Sequence, residues 1–243
     1  MSEFKNIVMV ASGKGGVGKS TVTAGLGLAA AEAGHAVGII DADLHGYSIP
    51  RMLGQEGKPH YDKDERLLPG EAGGVKIVSM GYFAQDNPII WRAPLYSQAL
   101  RQFLNDFEWG TLDLLLIDLP PGTGDMPLNV MQNVQHSKMV VVTTPQPTAA
   151  EVSARVAVMA QKMNVDVLGV VENMAWFQCQ ECSHKHFIFG QGGGEKIAQD
   201  LQTQVLGQLP LLPTMREAAD AGRLQLTEPM RQVFAQLRGK LGL

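Results

Sequence analysis

The chain has 243 residues, 45% of them apolar and 18% charged, enough to bury a sizeable core within one domain. Its formal charge of −4 is spread without long runs of one sign, which argues against a nonspecific nucleic-acid binder, since phosphate neutralisation needs a basic face. No apolar stretch reaches the roughly 20 residues that span a bilayer, and Met1 to Asn6 lack the charged-then-apolar order of a secretory signal, so a cytoplasmic chain without stable membrane association is expected.

In chain order, Asn6 to Ala11 is an apolar run suited to a buried strand. A glycine-rich turn follows, and Lys19 to Ala33 is an alanine- and leucine-rich helix closed by Gly34. Ala36 to Ile40 forms a second strand ending at Asp41. Gln55 to Gly74 is polar and rich in Gly, Pro and charge, an exposed excursion with the character of a hairpin. Val75 to Met80 and Leu114 to Ile117 continue the buried-strand pattern, the latter ending at Asp118. Met139 to Thr144 and Val167 to Val171 repeat it around a helix over Ala149 to Met163, and Val205 to Leu209 is a weaker strand before Pro210. From Glu228 to Leu243, Met230, Val233, Phe234, Leu237 and Leu241 recur at helical spacing, which predicts a helix docked on the core. Strands alternating with helices imply an α/β fold, a mostly parallel sheet with helices on both faces in three layers, spanning residues 1–243 as one domain. Ligands of such sheets gather at the carboxyl ends of the strands.

Between the first strand and helix stands Gly13-Lys14-Gly15-Gly16-Val17-Gly18-Lys19-Ser20, a match to G-x-x-x-x-G-K-[ST], followed by Thr21. Glycines at this spacing let successive backbone N–H groups curl around phosphates without Cβ obstruction. Lys19 is then placed for the β and γ phosphates and Ser20 for Mg²⁺, while the helix N-terminus offers its positive end. Lys14 is an additional cation within the loop, poorly placed to fold back onto phosphates that its own backbone wraps. This form of the loop resembles the deviant Walker A of the MinD, ParA, ArsA and nitrogenase iron protein class. The resemblance implies an ATPase that pairs as a homodimer, with Lys14 reaching the partner's nucleotide. Asp41-Ala42-Asp43 looks like that class's switch I, with Asp41 supporting the metal and Asp43 orienting water; Asp118 to Asp125 resembles its Walker B and switch II, with Asp118 on a Mg²⁺-bound water and Gly122 offering an N–H to the γ-phosphate. Asn173 and the segment carrying Pro210 and Arg216 resemble its adenine-contacting elements.

The only cysteines are Cys179 and Cys182. A C-x-x-C pair can ligate one side of a metal centre but cannot fill four positions; with His184 and His186 it is also the donor set of a Cys₂His₂ zinc site, and the residues alone leave both readings open. Asn173 to Lys196, with the loop at residue 13, Asp41 to Pro50, Asp118 to Asp125 and Pro210 to Gly222, resembles the Mrp or ApbC family. That resemblance implies a [4Fe-4S] cluster bridging two subunits through Cys179 and Cys182, ATP and Mg²⁺ as cofactors, and apo iron-sulfur proteins as recipients. The sequence departs from the family in having Tyr47 after Gly46, where proline is common, and a chain without the role of a cysteine-rich extension before the P-loop is expected. A spatial organiser like MinD or ParA, and a nucleotide-binding regulator without appreciable turnover, are the competing classes.

Overall fold

The computed structural model describes residues 3–55, 57, 59–84, 93–179 and 181–243. Its first half runs β1 (Glu3–Phe4), β2 (Ile7–Ser12), α1 (Lys19–Glu32), β3 (Val37–Asp41), α2 (Ile49–Leu53), β4 (His60–Tyr61), β5 (Leu67–Leu68), β6 (Gly70–Ala72), β7 (Val75–Ser79), α3 (Gly81–Ala84) and α4 (Ala93–Asn105). There follow β8 (Thr111–Leu112), β9 (Leu114–Asp118), α5 (Asp125–Asn133), β10 (Lys138–Thr143), α6 (Pro147–Lys162), β11 (Asp166–Glu172), β12 (Phe177–Gln178), β13 (Lys185–His186), α7 (Gly193–Asp200), β14 (Val205–Gln208), α8 (Pro213–Asp220) and α9 (Glu228–Leu241).

The main sheet has the order β14-β11-β10-β2-β9-β3-β7-β6. Its strands are parallel throughout except for β6, which pairs antiparallel with β7. Strand β2 shows why the centre is buried on both faces. Val8 and Val10 point into one apolar cluster with Val22 and Leu26 of α1 and Phe234 of α9, whereas Met9 and Ala11 point into another with Tyr96 and Phe103 of α4 and Val156 of α6. A run of apolar residues without polar alternation is what a strand covered by helices on both sides requires. The expected three-layer α/β arrangement is therefore the one observed.

Strand ends differ from the sequence reading by a residue or two, and one shift matters. Both β3 and β9 extend to include their aspartates, and Asp41 stands directly beside Asp118 in register. The 55–74 excursion contains the β4–β5 hairpin, as expected, but Gly70–Ala72 belongs to the sheet as its edge strand. Gly-Glu-Ala carries no strand signal of its own; pairing with β7 supplies the order. The reading of the sequence assigned no helix at α2, α3, α4, α5, α7 or α8, although it marked Pro210 and Arg216 as base contacts. The C-terminal helix is as expected, with Met230, Val233, Phe234, Leu237 and Leu241 all buried. Among the described residues, no helix is long and apolar enough to cross a membrane.

Candidate functional site

The chain leaves β2 for β3 on one side and later returns through β9 to β10 on the other, so β2 lies at the point where strand order reverses. There, at the carboxyl ends of the strands, the P-loop, Asp41, Asp118 and Asn173 come together, as an open parallel sheet favours. Gly16 and Gly18 adopt φ of 78° and 80°, left-handed values that a Cβ would strain. Gly13 is needed for a different reason: a Cβ there would sit on the backbone of Val152 and Ser153 in α6. The Ser153 hydroxyl accepts the Gly13 N–H at 3.2 Å, which seats the start of the loop against that helix.

Asp118 is the hub beneath the loop. Its Oδ2 accepts from Lys19 Nζ and Ser20 Oγ, each at 2.6 Å, and its Oδ1 lies 2.6 Å from Thr23 Oγ1. Lys19 and Asp118 are 6% and 0% exposed, so this is a buried ion pair. Asp41, also buried, accepts the backbone N–H groups of Ser48 at 3.0 Å and Ile49 at 3.2 Å and so caps α2. Burial, reinforced by the neighbouring Asp118 carboxylate, pushes the Asp41 pKa up to about 7. Two neighbouring buried carboxylates thus face one buried lysine, which pairs with Asp118, and the site is short of positive charge. Hard oxygen donors from Ser20, Asp41 and Asp118 with a deficit of cationic charge suit Mg²⁺, which takes few protein ligands and fills its remaining positions with phosphate and water.

Asp43 lines a cleft of about 590 Å³ together with Lys14, Lys19, Ser20, Pro120 and Asp125. Its Oδ1 accepts the N–H groups of His45 and Gly46, which fixes the turn after β3 and holds the carboxylate at the cleft wall. Gly122 has φ of 92°, and its N–H donates to the Ser12 carbonyl at 2.9 Å, so that N–H must leave Ser12 to meet a phosphate. Lys14 Nζ rests on Gln146 Oε1 at 3.1 Å, at the start of α6. A second cavity of about 370 Å³ shares Gly18 and Thr21 with the first and continues to Asn173, Pro210, Met215 and Arg216. Asn173 Nδ2 donates to the Val17 carbonyl at 2.9 Å. Arg216 is exposed and paired with Asp220 at 2.8 Å. The two cavities adjoin, the first glycine-lined at the P-loop and the second bordered by Met52, Pro210, Leu211 and Met215, an arrangement that suits the phosphate and base ends of a nucleoside polyphosphate.

The cysteines lie on the hairpin of β12 and β13. Cys179 N–H donates to the His184 carbonyl and Ser183 N–H to the Cys179 carbonyl, each at 2.9 Å, with Ser183 at φ 57° turning the corner. The Cys182 N–H, then the Glu181 N–H and the Cys182 side chain, hold the Cys179 thiol below its ordinary pKa. Amides directed at a sulfur favour the thiolate, the form that ligates metal. Both cysteines are free, Cys182 exposed. The His184 and His186 rings meet edge to face at 4.9 Å, and Lys185 Nζ lies over the Trp176 ring at 4.3 Å. Among the described residues no three His, Cys, Asp or Glu side chains converge to hold an ion, so this hairpin does not gather a Cys₂His₂ set.

Thr23, Gln146 and Ser153 did not emerge from the sequence. Thr23 follows Lys19 by one helical turn, a signal that was available; Gln146 and Ser153 are brought to the loop by tertiary packing alone.

Comparison with known proteins agrees with this geometry. The family described as ParA, NUBPL iron-transfer P-loop NTPase, matches residues 3–241. An iron-sulfur cluster carrier protein of Bacillus subtilis is 46% identical over 203 residues, 83% of this chain and 57% of that protein. The chain therefore spans less than two thirds of that relative. The mouse iron-sulfur cluster transfer protein NUBPL is 44% identical over 222 residues, 90% of this chain and 70% of its own length. Among solved structures, a nucleotide-binding protein of Archaeoglobus fulgidus in complex with ADP superposes with a TM-score of 0.81 at 38% identity, covering 94% of this chain and 90% of that one. With a P-loop seated on a parallel sheet and a family match that runs nearly end to end, the chain belongs to the NUBPL iron-transfer P-loop NTPases of the ParA family.

Proposed function

We propose that residues 1–243 act as one P-loop ATPase domain that carries an iron-sulfur cluster, assembling or delivering [4Fe-4S] to apoproteins in the cytoplasm as a homodimer. The observation that carries this reading is the free Cys179–Cys182 pair, half-buried and exposed respectively, with amides aimed at one sulfur, on a hairpin that leaves the sheet directly after Asn173 at the P-loop. One copy supplies two thiolates, half of the set a cubane cluster takes, so two copies facing each other complete it. The carrier and transfer names of the Bacillus and mouse relatives support the cargo.

In this reading Gly13 to Thr21 bind the phosphates, Lys19 neutralises the β and γ oxygens, and Mg²⁺ is held by Ser20 with Asp41 and Asp118 behind it. Asp43 orients the attacking water, Lys14 leaves Gln146 for the partner's triphosphate, and Gly122 contacts the γ-phosphate. Asn173, Pro210 and Arg216 surround the base. Lys19 must exchange Asp118 for phosphate, so the buried ion pair acts as a stand-in that keeps the lysine in place before nucleotide arrives.

Anaerobic reconstitution with iron and sulfide tests the cargo. The wild type should gain the brown absorbance of a cluster, and Cys179→Ala should lose it while binding ATP as before. A colourless protein holding stoichiometric zinc would reject the carrier reading. A membrane-organising ATPase is disfavoured because the apolar face of α9 is spent inside the core.

A further inference from the structure

Resting on the carrier reading, the structure poses the question of how nucleotide bound at the P-loop is felt by thiols on a separate hairpin. The candidate is Glu172, the last residue of β11, which the site described above does not use. It is 1% exposed. Its Oε1 accepts the Gly194 N–H at 2.8 Å and its Oε2 accepts from Gln208 Nε2 at 2.7 Å. A buried carboxylate with both oxygens engaged is expensive to keep unless those contacts serve it.

The position of Glu172 in the chain gives those contacts a meaning. The hairpin leaves the sheet through Asn173, whose side chain holds the Val17 carbonyl of the P-loop. It returns at Gly193 and Gly194, and the Glu172 carboxylate grips that return. Gly194 leaves no room for a side chain, because a Cβ there would lie 2.9 Å from the Glu172 Cβ. The outgoing root is also laced to the segment carrying Pro210: Leu209 N–H donates to the Glu172 carbonyl at 2.9 Å, Ala175 N–H to Leu209 at 2.9 Å and Leu211 N–H to Trp176 at 2.7 Å. Both roots of the cysteine hairpin therefore end on one strand terminus, and that terminus also forms the wall of the base cavity.

We propose that Glu172 is a positioning residue that joins the two roots of the cysteine hairpin into one body with the nucleotide site, so that occupancy of the P-loop changes the exposure and reactivity of Cys179 and Cys182. Without the carboxylate, the hairpin keeps its own β12–β13 pairing and α7 stays packed on α6, but the hydrogen bond that ties the return to the end of β11 is lost, and the thiols no longer respond.

The test is the rate of maleimide alkylation of the metal-free, reduced full chain with and without Mg-ATP, alongside the nucleotide Kd. Wild type should show a nucleotide-dependent change of about fivefold or more, the scale of ordinary coupling between sites. Glu172→Ala should bring the ratio close to one while Kd stays within about twofold. Glu172→Gln keeps an acceptor for Gly194 and should retain most of the response, which a loss of packing would not explain. If Glu172→Ala does not fold, Gln208→Ala removes the second contact from a half-buried position and should reduce the ratio. A wild-type ratio of one, or an undiminished ratio in Glu172→Ala or in Gln208→Ala, overturns the proposal. Because no cluster is present in this assay, failure of the carrier reading would appear separately, as wild-type protein that takes up no iron and sulfide.

Discussion

Lys19 is held twice over, by its place as the first residue of α1 and by a 2.6 Å contact with a fully buried carboxylate. Its removal therefore has two separable consequences. Lys19→Ala should abolish ATP binding in calorimetry through loss of phosphate neutralisation. It should also lower the unfolding free energy of the nucleotide-free chain by about 3 kcal/mol, because one charge of a buried pair is left alone; an unchanged denaturation midpoint would contradict the pairing described here. Motif spacing was sufficient to single out Lys19 and Ser20, and resemblance to the deviant Walker A class added Asp41 and Asp118 at their strand ends. Spacing was silent on Ser153 and Gln146, which lie more than 130 residues from the loop they support and carry no local pattern. Glu172 was passed over for a related reason: an acidic residue ending a strand reads as an ordinary surface position until the fold buries it.

At the scale of elements, the balance between local signal and tertiary context can be seen in α9 and β6. The five apolar positions of α9 repeat at helical spacing, and the same five are the ones buried against α1 and β14, so pattern and packing agree. Phe234 is 4% exposed in that layer. Phe234→Ala should destabilise the chain by about 3–5 kcal/mol, through lost burial and the cavity left behind, and a thermal melt should register it. Nucleotide affinity at 25 °C should be unchanged, since α9 lies beneath the sheet and lines neither nucleotide cavity. A melting temperature equal to wild type would mean that the helix is not part of the cooperative core. Strand β6 is the opposite case, three residues without a strand signature that are ordered by the edge they join. The amphipathic spacing of Tyr96, Ala99, Leu100 and Phe103 in α4 was present in the sequence and went unread; the information was there, in contrast to β6.

At the scale of the whole molecule, the proposed carrier reading requires that two copies meet. Lys14 rests on Gln146 of its own chain, and in that reading the free Cys179 and Cys182 supply half of a cluster's ligand set. Under Mg-ATP, light scattering should therefore report a doubled mass that Lys14→Ala lacks, with ATP binding retained in that variant because its own P-loop is intact. A monomer under saturating ATP, or a Lys14→Ala protein that dimerises like wild type, would remove the basis for a shared centre. The sequence by itself determined the layered α/β class, the phosphate-binding loop, the two strand-end aspartates and the cysteine pair, because each depends on contiguous residues whose spacing has a direct physical meaning. Tertiary structure alone decided that Asp41 and Asp118 stand side by side with Lys19 paired to Asp118, that α6 shapes the loop through Ser153, and that Glu172 bonds the root of the hairpin. Those relations come from strand order and burial, which place residues far apart in the chain within hydrogen-bonding distance, and no local pattern encodes them.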